Sequence, residues 1–270
     1  MRKQAKLQKL HEIFQSMEKC VVAFSGGVDS TFLLAAAVRS LGSENVVAVT
    51  AISATLTSEE KAEAIELGHK IGVKHALLET KEFDSEQFTA NAPDRCYHCK
   101  KIRFEALVEW AIENGIRWIV EGSNVDDHGD YRPGSRAVAE LAPVRSPLQE
   151  AGLTKQEIRE LSKDWKLSTA GKMSNACLAT RLEYGLQITA SRLKQIEEAE
   201  KYLRPIVEGQ LRVRHHGNLA RIEVEPAVIP KLTVPGVAAT IDAELKKLGF
   251  HYVTLDLSGY RMGSMNKGIK

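Results

Sequence analysis

The sequence predicts an α/β fold, a doubly wound parallel sheet followed by a second, smaller α+β domain. Three observations carry that expectation. Short β-type runs alternate with longer helical patterns from Cys20 to about Val120, which is the signature of βαβ units. A glycine turn, Ser25-Gly26-Gly27-Val28-Asp29-Ser30, joins the first of these runs to the first helical pattern of the alternation, where open parallel sheets bind their ligands. After Gly185 the pattern changes to helix, two strands around Gly217-Asn218, helix and strand. The expected domains are residues 1–184 and 185–270, with the change of character near Leu182 to Gln187.

Residues 1–17 place Leu7, Leu10, Ile13, Phe14 and Met17 at helical spacing between Lys, Gln and Glu. This predicts an amphipathic helix rather than a secretory signal, since there is no continuous apolar run and no small-residue cleavage site. Strands are expected at Val21-Phe24, Val46-Ile52, His75-Leu78 and Trp118-Val120. Between them, helices are expected at Thr31-Leu41, at Ser58-Ile71 with Ser58 as N-cap, and at Lys100-Glu113. Thr80 to Arg95 has no clear period and predicts a loop over the carboxyl edge of the sheet. The turn-rich stretch from Glu121 to Asp130 opens on the same side. Thr154 followed by Glu157 is a capping-box pattern, predicting a helix to Trp165. In the second domain, Ser191-Leu203 and Val237-Leu248 read as helices, and Gln210-His215, Leu219-Val224 and Tyr252-Leu257 as strands.

At 270 residues, with 43% hydrophobic and 27% charged, the chain can bury a sizeable core. A formal charge of +2 gives no global electrostatic case for a nucleic-acid coat or an anionic membrane surface, so any basic site is local. No segment approaches the ~18 apolar residues that span a bilayer. Four cysteines without a secretory signal predict a cytoplasmic protein whose thiols bind metal or react rather than form disulfides.

Glycine tolerates positive φ and lets ligand atoms approach the backbone, so Ser25 to Ser30 reads as a phosphate cradle ahead of a helix dipole. It lacks the Gly-Lys-Ser/Thr ending of the Walker loop, and γ-phosphate chemistry is not implied. Asp29 offers a carboxylate that can hold Mg²⁺ against the phosphates.

Cys96-Tyr97-His98-Cys99 supplies two thiols at metal-ligand spacing, and Cys177 stands far downstream. Three cysteines can hold three irons of a cubane cluster and leave the fourth open. Zinc with His98, a redox CxxC, and a reactive Cys177 beside a structural CxxC are the other readings. Cys20 precedes a buried strand and reads as a small core residue. Arg212 and Arg214 alternate along one strand face with Glu223 on the opposing strand, which suits a phosphate or carboxylate ligand or, equally, a cross-strand ion pair. Glu200 on the preceding helix is placed to join them. His215-His216 flanks a turn, where such a pair faces solvent more often than it binds metal.

The loop Ser25 to Ser30 matches SGGxDS, and in it the chain resembles the PP-loop ATP pyrophosphatases, which cleave ATP between its α and β phosphates. The resemblance extends further, to the LarE family of ATP-dependent sulfur transferases of nickel-pincer nucleotide biosynthesis. It is carried by Pro93-Asp94-Arg95-Cys96-Tyr97-His98-Cys99-Lys100, Glu121-Gly122-Ser123-Asn124 with Asp126-Asp127, Arg132-Pro133-Gly134, Ser146-Pro147-Leu148, Cys177 to Arg181, and Asp256 to Ser264.

That resemblance implies the following chemistry. ATP and Mg²⁺ bind at Ser25, Gly26, Gly27, Asp29 and Ser30, with Gly122, Asp126 and Asp127 nearby. A carboxylate of a pyridinium biscarboxylate mononucleotide attacks the α-phosphate, and sulfur then replaces the activated oxygen. The sulfur comes either from a 4Fe-4S cluster on Cys96, Cys99 and Cys177, the preferred route for a chain with all three, or from Cys177 itself. Arg181, Glu200, Arg212, Arg214 and Glu223 form the implied substrate set, and a homo-oligomer, up to a hexamer, is the implied assembly. A tRNA thiolation enzyme is the nearest rival; it needs a basic surface or an RNA-binding module that a near-neutral chain does not offer.

Overall fold

Alternation along the strands builds the first layer of structure. In the computed structural model, β1 (Cys20–Ala23), β2 (Val46–Ile52), β3 (Lys74–Glu79), β4 (Trp118–Val120) and β5 (Val144–Arg145) form one sheet in the order β3-β2-β1-β4-β5. Every pairing in it is parallel. Cys20, Val22, Val46, Ala48 and Val120 enter one buried cluster, while Val21, Val47, Val49 and Ile119 enter another. The sheet is therefore buried on both faces, as a period of two requires when helices cover each side. The structure describes residues 3–129, 136–138, 140–141, 143–173 and 176–265. The Arg132-Pro133-Gly134 run lies outside them.

Helices α1 (Lys3–Gln15), α2 (Val28–Leu41) and α3 (Ser58–Ile71) pack on the first face through Leu10, Phe14, Phe32, Leu33, Leu34, Ala64 and Leu67. A short α4 (Glu86–Thr89) and a long α5 (Arg95–Glu113) come next, and α5 covers the opposite face with Phe104, Leu107 and Ala111. After β5, α6 (Pro147–Glu150) and α7 (Lys155–Asp164) return to the first face through Leu148, Ile158 and Leu161. Among the described residues no helix is long and apolar enough to cross a membrane.

The second sheet has β6 (Leu211–His216) antiparallel to β7 (Leu219–Val224), and β7 parallel to β8 (Tyr252–Leu255). Helices α8 (Ala190–Leu203), α9 (Ile229–Leu232) and α10 (Pro235–Lys247) complete this part. Leu211 and Val213 of β6 and Ala220, Ile222 and Val224 of β7 join Leu203, Leu245 and Phe250 in its core. Arg212, Arg214, Arg221 and Glu223 are thereby turned to the other face.

Several elements differ from expectation for identifiable reasons. The cap of α3 is Thr57, one residue earlier than Ser58, because Thr57 and Glu60 complete a reciprocal capping box. Helix α5 starts at Arg95 rather than Lys100, so the CxxC is helical. Strand β5 is two residues long, too short to leave a periodic signal. The expected loop from Thr80 to Arg95 holds two short helical turns.

The chain packs as two compact units, Met1–Glu82 with Cys96–Asn175, and Phe83–Arg95 with Ala176–Lys270. The second unit therefore begins at Ala176 and takes in Phe83–Arg95, which a single cut at 184/185 leaves with the first. Asn91 is fully buried there and donates to the carbonyls of Glu183 (2.7 Å) and Leu186 (2.8 Å), which ties the early segment to the later one.

His215 does not face solvent. It is 1% exposed, packs on Phe250, and its Nε2 meets Gln195 Oε1 at 2.9 Å, while Nδ1 has no partner. Burial, with the nearby Arg192 cation, pushes its pKa from 6.5 down to about 4. The unfolded chain then binds the extra proton first, so this contribution to stability is complete above about pH 6.5 and is lost as pH falls toward about 4. Denaturant titrations from pH 7.5 to 4 are expected to show an acid-dependent loss on the order of 3 kcal/mol from this group. The His215→Gln variant removes most of that slope.

Candidate active site

The glycine loop follows β1 directly. Gly26 has φ +68°, a conformation that side chains rarely adopt, and Gly27 caps α2 without any side-chain bond. The first amides of α2 lack intrahelical acceptors by construction, so the loop and helix start present N–H groups toward the carboxyl edge of the sheet. Hydroxyls brace the turn. Ser25 Oγ lies 3.1 Å from Ser30 Oγ, and Ser30 Oγ donates to the Gly27 carbonyl at 3.2 Å. From behind, Thr50 Oγ1 donates to the Phe24 carbonyl at 2.6 Å and meets His75 Nε2 at 2.8 Å.

Gly122, at the end of β4, is required by a close approach. A Cβ there would lie 3.2 Å from the Ser30 amide nitrogen and 3.3 Å from Asp29 Cβ. Asp29 pairs through Oδ2 with Lys155 Nζ, while its Oδ1 is buried and has no partner. That orphaned carboxylate oxygen beside a phosphate-type loop fits a hard divalent cation.

Asp126 and Asp127 are engaged with backbone. Asp126 Oδ2 accepts the Lys155 amide at 2.8 Å at the start of α7, and Asp127 Oδ2 accepts the Asn124 amide at 3.0 Å. These carboxylates position the turn and the helix that carries Lys155.

Two lysines at the loop were not among the expected site residues. Lys155 is one, and Lys172 is the other: its Nζ donates to the Gly26 carbonyl at 3.0 Å and to Glu63 at 2.6 Å. Arg159 holds the backbone beneath Lys172 through the carbonyls of Ala170 and Lys172, both at 2.9 Å. The lysine that a Walker loop would carry within itself is supplied here by distant segments. Its signal in the sequence was the capping box at Thr154, which puts Lys155 in a first turn.

Cys96 and Cys99 are half-buried in the opening turns of α5. Lys100 and Arg103 share their stripe at 100° per residue. Arg103 bonds Glu82 Oε1 (2.6 Å), Ser53 (3.0 Å) and Thr55, beyond β2 and β3, and Lys100 reaches Glu121 (3.3 Å) beyond β4. Glu121 also accepts from Ser123 and Ser146. The thiol-bearing stripe therefore faces the same sheet edge as the glycine loop. Cys177 belongs to the second unit. Among the described residues no three His, Cys, Asp or Glu side chains gather as metal ligands, which leaves the expected cluster set, and the zinc set with His98, without support in the structure.

In the second unit the hairpin charges are buried and unequal. Arg214 makes a paired contact with Glu223 Oε2 (2.9 and 2.7 Å), and Ser264 Oγ donates to Glu223 Oε1 at 2.8 Å. Arg221 adds a third contact to Glu223 at 3.1 Å. Arg181 pairs with Glu200 at 3.1 Å, and Glu200 also accepts the Val213 amide at 3.0 Å. Arg212 lies opposite Glu223 in register but does not pair with it. It is 4% exposed, donates to its neighbour's carbonyl at 2.6 Å and lies under the Tyr260 ring. Burial, then the Arg181 cation, holds its pKa below the ordinary arginine value. The ion-pair reading thus describes Arg214, while Arg212 is a buried guanidinium in no direct ion pair among the described residues, its charge partly offset by the nearby Glu200 carboxylate. His216 pairs with Glu183 at 3.0 Å.

A family model described as a PP-loop domain matches residues 1–131. The pyridinium-3,5-bisthiocarboxylic acid mononucleotide synthase of Lactiplantibacillus plantarum is 37% identical over 252 residues, 93% of this chain and 90% of that protein. The uncharacterized protein slr1717 of Synechocystis sp. is 38% identical over 264 residues, 98% of each chain. A tRNA-specific 2-thiouridylase of Bacteroides fragilis is 26% identical over 118 residues, 40% of this chain and 31% of that protein.

The unequal arginines predict opposite outcomes. Arg214→Met takes from buried Glu223 its two-bonded partner, leaving Arg221 and Ser264, and is expected to cost about 1.5–3 kcal/mol of stability in denaturant titrations. Arg212→Met removes a buried charge that makes no direct ion pair and is expected to leave stability equal or higher in the same titrations.

Proposed function

The chain belongs to the LarE family, that of the pyridinium-3,5-bisthiocarboxylic acid mononucleotide synthase, with a PP-loop domain at its start, and on that premise we propose that it is an ATP-dependent sulfur transferase. Its substrate in this reading is a pyridinium mononucleotide with carboxylates at positions 3 and 5. The observation that carries the reading is the glycine loop itself, braced by Ser25 and Ser30, with Asp29 Oδ1 open beside it and Lys172 at the Gly26 carbonyl.

ATP is held by the loop amides and by Lys172, whose ammonium exchanges Glu63 for phosphate oxygens. Asp29 would hold a Mg²⁺ ion through Oδ1, and that ion would supply charge neutralisation for the phosphates. The substrate carboxylate attacks the α-phosphorus, the bond to the β-phosphate bridging oxygen breaks, and an acyl adenylate forms with release of pyrophosphate. Loop amides aimed at the α-phosphate stabilise the charge that develops there. Arg212 grips the substrate's phosphate or its second carboxylate, with Arg181 and Glu200 holding the strand that carries it.

The sulfur step is assigned to Cys177. Its thiolate attacks the activated acyl carbon and AMP leaves, giving a thioester. Loss of the Cys177 α-proton with cleavage of its Cβ–Sγ bond then releases the thiocarboxylate and leaves dehydroalanine. Cys96 and Cys99 stand on the same sheet edge as the loop. A cluster on all three cysteines is the competing route, and iron and sulfide analysis of anaerobically purified protein decides between the two.

Incubation with ATP, Mg²⁺ and pyridinium dicarboxylate mononucleotide is expected to give AMP and pyrophosphate, and a protein lighter by about 34 Da at Cys177, the mass of H₂S. Absence of adenylate transfer to any pyridinium acid overturns the substrate assignment. Iron-containing protein that turns over with added sulfide and keeps its mass overturns the sacrificial step. Binding of tRNA with a steep salt dependence favours the thiouridylase reading instead. Lys172→Met is expected to weaken ATP binding by about tenfold while the Cys177 mass change, at saturating ATP, is retained.

A further inference from the structure

Lys155 stands where a cation belongs. Its Nζ pairs with Asp29 Oδ2, so that one oxygen of the carboxylate is taken and the other, Oδ1, is buried without a partner. The backbone of Lys155 is fixed from three directions. Its amide donates to Asp126 at 2.8 Å, Thr154 and Glu157 close a capping box around it, and Glu157 is anchored to Lys6 at 2.7 Å. The lysine side chain itself is partly exposed, at 34%. A rigid base thus carries a mobile ammonium on a four-carbon stem, able to change partners without any change in the helix.

We propose that Lys155 guards Asp29 against metal in the absence of nucleotide. The ammonium cancels the carboxylate charge and would lie beside any dication placed there, so an empty loop does not accumulate Mg²⁺. Incoming phosphates offer Lys155 a more negative partner. The ammonium moves to them, Asp29 is released, and the metal enters with the nucleotide. Metal and nucleotide binding are then coupled through one side chain, and by linkage each strengthens the other. This rests on the reading of Asp29 as the metal-holding residue.

The test uses Mn²⁺ as the probe, with its binding read by electron paramagnetic resonance and calorimetry on the full chain without nucleotide. Wild type is expected to bind Mn²⁺ weakly and Lys155→Met at least about tenfold more tightly. The double variant Lys155→Met with Asp29→Asn returns to the weak level, and Lys155→Arg, which keeps the charge, stays weak. With ATP present, Lys155→Met loses most of the mutual strengthening between nucleotide and Mn²⁺. If nucleotide-free Lys155→Met, folded by circular dichroism, binds Mn²⁺ no more tightly than wild type, the guard is overturned. The reading of Asp29 is judged separately: ATP binding to Asp29→Asn that keeps its full dependence on Mg²⁺ overturns it, whatever Lys155 does.

Discussion

Parallel pairing of five strands is the constraint on which the rest of the first unit depends. Because β1 to β5 all run the same way, each chain segment that leaves a strand leaves at the same edge. Ser25 follows β1, Ser53 follows β2, Glu82 follows β3, Gly122 follows β4 and Ser146 follows β5. Reverse one strand and its segment would leave from the opposite edge, about 7–23 Å away for strands of two to seven residues. The polar groups of the site are therefore gathered by backbone direction before any of them interacts. Side-chain bonds then trim their positions: Arg103 links the segments after β2 and β3, and Glu121 links those after β4 and β5 to α5.

The second unit reaches a charged site by a different route. Its hairpin buries one face in an apolar core and covers the other with arginines and carboxylates, which are costly to desolvate unless paired and hydrogen-bonded. Most of that cost is met locally by Glu223 and Glu200, whose oxygens are shared among Arg214, Arg221, Arg181, Ser264 and a strand amide. Arg212 is left as the exception. Its charge is offset only by the nearby Glu200 carboxylate, without a direct pair, so its burial is the costliest on this face.

The sequence was legible where one local rule sufficed. Short β-type runs named the strands of the first sheet, except β5, whose two residues are too few to form a run. Capping chemistry located α3 to within one residue and the start of α7. The glycine loop was legible because its residue types have few other uses. The hairpin partners were legible as a face but not as a pairing, since register sets Arg212 opposite Glu223 while side-chain reach gives Glu223 to Arg214. Lys155 and Lys172 were missed at the loop for a plain reason: their approach depends on how α7 and the segment after it fold back onto α2, a long-range contact with no sequence period. The helical CxxC was missed because Arg95 to Cys99 is polar on most sides and its stripe is set by Arg103, one to two turns later.

The tie between Asn91 and the carbonyl of Glu183 has a consequence for how the protein is made. Those partners are 92 residues apart, and ribosomes add about 5–20 residues each second. For about 5–20 s after Asn91 emerges, the segment that will bury it is unmade. During that interval the strands on either side, β3 and β4, can already pair with their neighbours, while 83–95 waits as an open loop held at both ends. A nascent chain stalled before residue 183 therefore lacks the partners of Asn91, which full-length chain buries together with Phe88 and Arg95.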